Sequence, residues 1–190
     1  MNSKNKKLKI AIAGLGFGKK VHLEALKESN YLTPVAIYHY DKKQKSILEK
    51  ETGLEFFHDW EDLVKSQEID GIIIATPPES RFKLAKQALE NNKNLLLEKP
   101  VSISSSEIEE LQRISLINNL SVCVDFEYRA VPLFLQTKKL IDENILGEIY
   151  LVKLDWLMGS RSDPKRAWNW YSLEEKGGGV IGALGTHAFD

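Results

Sequence analysis

One cysteine, Cys123, is all that 190 residues contain, so no internal disulfide can form and the fold must be held by its core. A single thiol with no Cys/His cluster beside it supports no metal site. It is expected as a buried strand residue in a protein of the reducing cytoplasm. Charge of one sign is lacking too. The 26 Lys and Arg face 27 Asp and Glu, a formal net charge of −1, so neither nucleic acid nor an anionic membrane is expected as a partner. No apolar run approaches the roughly 20 residues that span a bilayer. Lys4, Lys6, Lys7 and Lys9 look like the start of a secretory leader, but the apolar stretch behind them breaks at Gly14, Gly16 and Gly18 before any cleavage-site pattern. Internal repeats, low-complexity linkers and nucleic-acid motifs are also absent. What remains is an ordinary soluble composition, long enough for one complete domain and part of a second.

Leu8 to Ala13 is almost wholly apolar and leads into glycines, the pattern of a strand buried on both faces and ending in a tight turn. A helix should follow out to about Asn30, with Val21, Leu23, Ala25 and Leu26 as its apolar stripe, and Pro34 then precedes a strand from Val35 to Tyr38. Lys42 to Lys50 reads as a helix stopped by Gly53, Leu54 to Phe57 as a short strand, and Asp59 as the cap of a short helix through Val64. The next units are Gly71 to Ala75 as strand, Glu79 to Glu90 as helix and Asn94 to Leu97 as strand. Ser104 to Asn118 follows as a helix with serines placed to cap it, and Val122 to Phe126 as strand. Such alternation predicts an α/β fold, a doubly wound parallel sheet with helices on both faces, because parallel strands need crossover connections. This domain is expected over residues 1–124. In residues 125–190, Leu133 to Asn144 reads as a helix and Glu148 to Met158 alternates like a strand of a second sheet. Arg161, Arg166, Trp168, Trp170 and Tyr171 then occupy a long irregular segment before Gly177, Gly178 and Gly179, and loops of that size are commonly functional.

Gly14, Gly16 and Gly18 lie where the first strand turns into the first helix, where backbone N–H groups and the helix dipole can receive a pyrophosphate. A strict G-x-G-x-x-G would put its third glycine at position 19, which is Lys19, so the spacing alone is weak. The placement at the head of a βαβ unit points to a nucleotide, against the plain alternative of a turn with no ligand. At the end of the second strand an NAD site normally offers an acid to the ribose; by register His39 takes that place, in Tyr38-His39-Tyr40-Asp41. An imidazole would not repel a 2′-phosphate, and Lys42 and Lys43 stand close, which favours NADP over NAD. Asp41 can cap a helix or reach the ribose itself. Thr76-Pro77-Pro78 and Glu98-Lys99-Pro100 each follow a strand, so both loops should open on the crevice at the sheet's carboxyl edge. A lysine held there beside an apolar cofactor can exchange a proton with a substrate hydroxyl or carbonyl while hydride moves to or from the nicotinamide. Pro100 restricts Lys99 to an extended backbone and can itself be cis. The bland alternative for Lys99 is a solvated surface lysine.

G-L-G-F-G-K-K-V-H at Gly14 to His22, A-T-P-P at Ala75 to Pro78, E-K-P at Glu98 to Pro100 and G-G-G-V-I-G-A-L-G-T-H at Gly177 to His187 together resemble the Gfo/Idh/MocA oxidoreductase family. The resemblance runs across nearly the whole chain, and E-K-P with the triple glycine and following histidine is far more specific than a glycine fingerprint. It implies a Rossmann domain followed by an α+β substrate domain whose open, mainly antiparallel sheet lines the substrate site and often forms the oligomer interface. It implies Lys99 and His187 as catalytic residues, and with the placements above the residues expected around NADP or NAD are Gly14, Gly16, Phe17, Gly18, His39, Thr76, Pro77, Glu98 and Lys99. Typical substrates of the family are sugars, inositols, other polyols and their keto forms, and relatives also reduce a linear tetrapyrrole and dihydrodiols.

Three departures stand against the pattern. Many members carry an aspartate four residues before the histidine, and this chain has Ala183 there, so the proton relay is incomplete or differently built. Arg81 stands where relatives often have a histidine after the T-P motif and reads as a solvated helix residue. Family members run longer, so the chain reads as ending within the second domain, just after His187. On that expectation Ile149 to Leu157 would have few sheet partners, leaving an unpaired edge and an exposed apolar face, and a homo-oligomer is expected only for a full-length parent. Tyr128, Arg129, Trp168 and Trp170 are candidates for substrate contact, with core packing and surface charge as equal alternatives. The expected function is an NAD(P)-dependent oxidoreductase acting on a sugar-like or other small hydroxyl or carbonyl substrate. The alternatives are a non-catalytic NAD(P)-binding sensor or regulator, or an inactive truncated remnant.

Overall fold

Six strands form a single parallel sheet in the order β3-β2-β1-β4-β5-β6 in the computed structural model, which describes residues 6–157, 159, 164–165 and 167–190. The strands are β1 (Leu8–Ala13), β2 (Leu32–Tyr38), β3 (Glu55–Phe57), β4 (Gly71–Ile74), β5 (Asn94–Glu98) and β6 (Val122–Asp125). Chain order runs outward from β1 to β3, returns to the other side of β1 at β4, and continues outward. The connections diverge between β1 and β4, so a crevice opens there at the carboxyl ends of the strands. This is the doubly wound sheet expected from the alternation. It lies within the first of two compact units, which ends at Asp125; the second runs from Phe126 to Asp190.

Both faces of the sheet are covered, and strand alternation decides which residue faces which layer. Ile10, Ile12, Ile37, Phe56 and Ile73 pack with Leu23 and Leu26 of α1 (Leu23–Glu28) and Leu48 of α2 (Lys45–Thr52). Ala11, Ala13, Ile72 and Ile74 face the other way, against Leu63 of α3 (Trp60–Lys65), Ala85 and Leu89 of α4 (Pro78–Glu90), and Leu111 and Ile114 of α5 (Ser105–Ile117). Caps fall where the side chains predict. Asp59 accepts from the Glu61 and Asp62 amides at the head of α3, and Gly53, at φ 70°, closes α2. Ser104 sits at the cap position of α5 without a side-chain bond to the helix.

Three expectations for this unit are corrected. Val21 and Ala25 are exposed, leaving Leu23 and Leu26 as the buried stripe. Pro34 lies inside β2 rather than before it. The ladder skips a residue there, from Ile10–Pro34 to Ala11–Ala36, and β3 pairs β2 only from Ala36 onward, so no partner is deprived of the N–H that proline lacks. Cys123 is exposed, because β6 is the sheet's edge strand and lies beyond α1 and α2, which cover that face further in.

The second unit contains a 3-10 turn at Glu127–Ala130, α6 (Pro132–Asp142), two further 3-10 turns at Trp170–Ser172 and Glu174–Lys176, and a helical turn, Ile181–Gly185, running into α7 (Thr186–Phe189). The triple glycine is a packed corner: a Cβ on Gly178 would run into the Trp170 carbonyl oxygen and the Tyr171 backbone. Residues 149–157 form no strand. Extended backbone becomes a strand only against a ladder partner, and among the described residues none lies beside it. Most of its apolar side chains are left in solvent, with Tyr150, Leu151 and Leu157 all more than four-fifths exposed. Lys4, Met158, Arg161 and Arg166 lie outside the described residues. Among the described residues no helix is long and apolar enough to cross a membrane.

Candidate active site

The glycine turn after β1 has one packed end and one open side. Gly14 has φ +123°, and a Cβ there would stand 2.5 Å from the Ala75 carbonyl oxygen, so only glycine fits where β1 and β4 part. A Cβ on Gly18 would press on Ile12 and Ala75, which lets the following helix sit close to the sheet. Gly16 is different: a Cβ there meets nothing within 4 Å. The turn therefore presents open space above its middle glycine, where an anion can approach backbone N–H groups. Thr76, next along from Ala75, holds its buried Oγ1 without a protein hydrogen-bond partner. A buried orphan hydroxyl beside an open glycine turn is what a polar ligand would satisfy, so these residues fit a dinucleotide. Phe17 is half exposed at the rim and stacks edge-on against His22, while Pro77 is exposed at the head of α4.

At the end of β2, the Asp41 amide donates to His39 Nδ1 at 3.2 Å, which leaves Nε2 as the proton-bearing nitrogen of the neutral ring. The ring lies against Tyr40. Asp41 caps the turn at Lys42–Gln44, accepting from the Lys43 amide at 3.0 Å. The cap is one of the two roles left open for Asp41, and it uses the Oδ1 oxygen.

Glu98 and Lys99 close β5 beside a second buried cluster. His22, at the end of the helical turn Gly18–His22, brings Nε2 to 2.9 Å from Glu98 Oε1 and 3.6 Å from Asp125 Oδ2. The Lys99 amide donates to Glu98 Oε2 at 3.2 Å. Burial pushes the Glu98 carboxyl up, but the hydrogen bond and charge of His22, the Arg81 guanidinium and the Lys99 N–H together outweigh it and hold the group below its ordinary value of 4.5. A carboxyl depressed by folding stabilises the native state above the ordinary value and loses that contribution as the pH falls through the depressed one. Thermal stability should therefore fall on acidification below about pH 4.5, by at most ~1.4 kcal/mol per pH unit for one proton. Glu98→Gln should flatten that part of the profile; an unchanged acid limb would show that other carboxylates carry it.

Arg81 is corrected most sharply. It is 2% exposed, not solvated, and its guanidinium donates to the backbone carbonyls of Thr76, Glu98 and Pro100. Side chains on a helix lean toward its N-terminus, so a long residue in the first turn of α4 reaches back to the ends of β4 and β5. The Lys99–Pro100 bond is cis. Lys99 itself is half-buried.

In the second unit the His187 side chain, 3% exposed, is enclosed by Tyr128, Trp156 and Phe126, with ring centroids 4.6, 6.1 and 6.2 Å away. Its Nε2 stands 3.6 Å from Glu127 Oε1. Ala183 is buried. Tyr128, Trp156 and His187 line a cavity of about 950 Å³ whose wall also carries the Arg129–Asp190 ion pair. Trp168 is exposed, and Trp170 stacks on Tyr171. Sequence reasoning thus missed four polar residues: Arg81, His22, Asp125 and Glu127. His22 had a signal, a polar residue on the face of the helix that also buries Leu23 and Leu26; Glu127, in an irregular turn, had none.

A sheet that divides at β1 and β4 above a glycine turn defines an α/β protein of the dinucleotide-binding class. The chain belongs to the Gfo/Idh/MocA oxidoreductase family: residues 8–126 match its NAD-binding Rossmann fold and residues 138–190 its C-terminal alpha/beta domain. It is 40% identical over 189 residues to an uncharacterized oxidoreductase of Synechocystis sp., covering 99% of this chain and 51% of that protein. It is 28% identical over 183 residues to the glucose-6-phosphate 3-dehydrogenase of Bacillus subtilis, covering 96% of this chain and 52% of that one. The structure of scyllo-inositol dehydrogenase from Lactobacillus casei with bound NAD(H) and scyllo-inositol matches with a TM-score of 0.70 at 27% identity, over 75% of this chain and 43% of that one. The chain spans about half the length of these curated relatives.

Proposed function

We propose that the whole protein is a cytoplasmic NAD(P)-dependent oxidoreductase that moves hydride between the nicotinamide and a sugar-like or other small hydroxyl or carbonyl compound. Residues 1–124 act as the nucleotide domain and residues 125–190 as part of the substrate and oligomerisation domain. One juxtaposition at the carboxyl edge of the sheet carries the reading: an open glycine turn at Gly16, an orphan hydroxyl at Thr76, and Lys99 one strand further on. The similarity to a scyllo-inositol dehydrogenase and a glucose-6-phosphate 3-dehydrogenase supports a polyol or sugar as substrate. When bound, the nicotinamide accepts or supplies the hydride. Lys99 Nζ takes the hydroxyl proton as a carbonyl forms, or returns it in the reverse direction. His187 orients the substrate, and Glu127 serves as the carboxylate behind it that Ala183 cannot be.

NADP is the favoured cofactor. With its Nδ1 turned to the Asp41 amide, His39 offers Nε2 where NAD enzymes place a carboxylate, and Asp41 Oδ1 is engaged in its cap. Calorimetric titration should find NADPH bound more tightly than NADH. His39→Asp should reverse the order by about tenfold or more, because a carboxylate against a 2′-phosphate is a like-charge contact. Equal affinities that the variant leaves unmoved would remove His39 from the site. The second reading, a non-catalytic NAD(P) sensor, is favoured by Ala183. Turnover of any member of a polyol panel would eliminate it.

A further inference from the structure

Arg81 stands where helix chemistry would not place it. A positive charge in the first turn of α4 opposes the helix dipole, and burial strips its hydration as well. The arrangement is compensated by the three carbonyls and by the nearby Glu98 carboxylate, whose depressed proton affinity reflects the guanidinium's charge among other causes. Those carbonyls are not scattered. Thr76 lies in the loop after β4, while Glu98 and Pro100 are the residues immediately before and after Lys99. One nitrogen, Nη1, donates to both neighbours of the lysine; Nη2 donates to the Thr76 loop at the end of the adjacent strand, β4.

We propose that Arg81 is the positioning residue of the Lys99 loop, a buried guanidinium clamp that holds the lysine's backbone from both sides and ties it to the Thr76 loop. It acts through the backbone carbonyls it meets. A planar fork with several fixed donors suits the task in a way that a single ammonium does not, since three carbonyls in different directions must be met at once. His22 secures the same strand end from the opposite side, through the Glu98 carboxylate, so Lys99 is held by backbone and side-chain contacts that are separable by mutation.

The inference rests on the catalytic role proposed for Lys99, and the test separates the two. Arg81→Met and Arg81→Lys in the full-length protein are compared with wild type for kcat, substrate KM, NADPH affinity, and hydrogen exchange at the Lys99 amide. Arg81→Met should lower kcat by about 100-fold with NADPH affinity retained, because misplacing a reacting group by an ångström costs about that much. Exchange at Lys99 should speed up while β1 and β4 stay protected. Arg81→Lys should recover part of the loss; if Arg81→Met does not fold, it carries the test alone. Unchanged kcat, or a loss that appears wholly in NADPH affinity or in exchange across the entire sheet, would overturn the proposal. Should wild type bind NADPH yet turn over nothing, the oxidoreductase reading fails, and exchange at Lys99 alone decides whether the clamp exists.

Discussion

Lys99→Met in the full-length protein should reduce turnover by about 10²- to 10⁴-fold, the range that a positioned proton donor or acceptor contributes, and leave NADPH binding in place. Methionine matches the lysine stem in length and flexibility but cannot move a proton. The backbone contacts that fix this segment run through the Lys99 amide and through the carbonyls of Glu98 and Pro100, and the substitution leaves them in place. The fold should survive, and the deficit should lie in kcat rather than in the substrate KM. Steady-state rates on the preferred polyol, together with calorimetry for NADPH, separate the possibilities. Retained turnover would assign the proton to another group and leave Lys99 a binding residue. Loss of NADPH affinity in step with kcat would instead make it part of the nucleotide cradle.

The sheet was legible because its signals are local and repeated. Ile10 to Ala13, Gly71 to Ile74 and Leu95 to Leu97 are short apolar runs bounded by turns, and Gly53 and Asp59 mark the end of α2 and the start of α3, so these elements announced themselves without knowledge of their neighbours. Residues 149–157 show the limit of such reading. They alternate like a strand, but pairing is a property of two segments, and alternation in one says nothing about whether a partner stands beside it. Cys123 failed for a related reason. A strand's position in the sheet decides how much of each face is covered, and the sequence did not reveal that β6 would be the edge.

The site divides along the same line. Gly14, Gly16, Thr76 and Lys99 were visible because each sits at a fixed offset from the end of a strand, and the ends of parallel strands converge on one edge. Arg81 was misread because charge is a good predictor of exposure on average and a poor one when backbone carbonyls are waiting as acceptors. Nothing in the residues between 78 and 90 announces that those carbonyls lie within reach. Glu127 likewise comes to 3.6 Å from His187 through the turn at Glu127–Ala130, far away in sequence, and no spacing pattern around Ala183 points to it.

Gly16→Asp should abolish NADPH and NADH binding while leaving the chain folded, and that combination makes it more informative than any other change in the turn. A side chain at Gly16 enters open space, and the residue is not among those with positive φ, so neither sterics nor backbone strain opposes the substitution. An aspartate there sets a carboxylate against the place where a pyrophosphate meets the helix N-terminus, and like charges in contact cost several kcal/mol, roughly a 1,000-fold loss of affinity. Gly14→Ala is the contrasting variant: its Cβ would collide with the Ala75 carbonyl in a conformation that L-residues rarely adopt, so it should lower the unfolding midpoint as well as binding. Calorimetry and thermal melts on the two variants together distinguish a ligand site from a merely structural turn. If Gly16→Asp binds NADPH as wild type does, the open side of the turn is not where the pyrophosphate lies. The cofactor would then have to be sought elsewhere along the β1–β4 crevice.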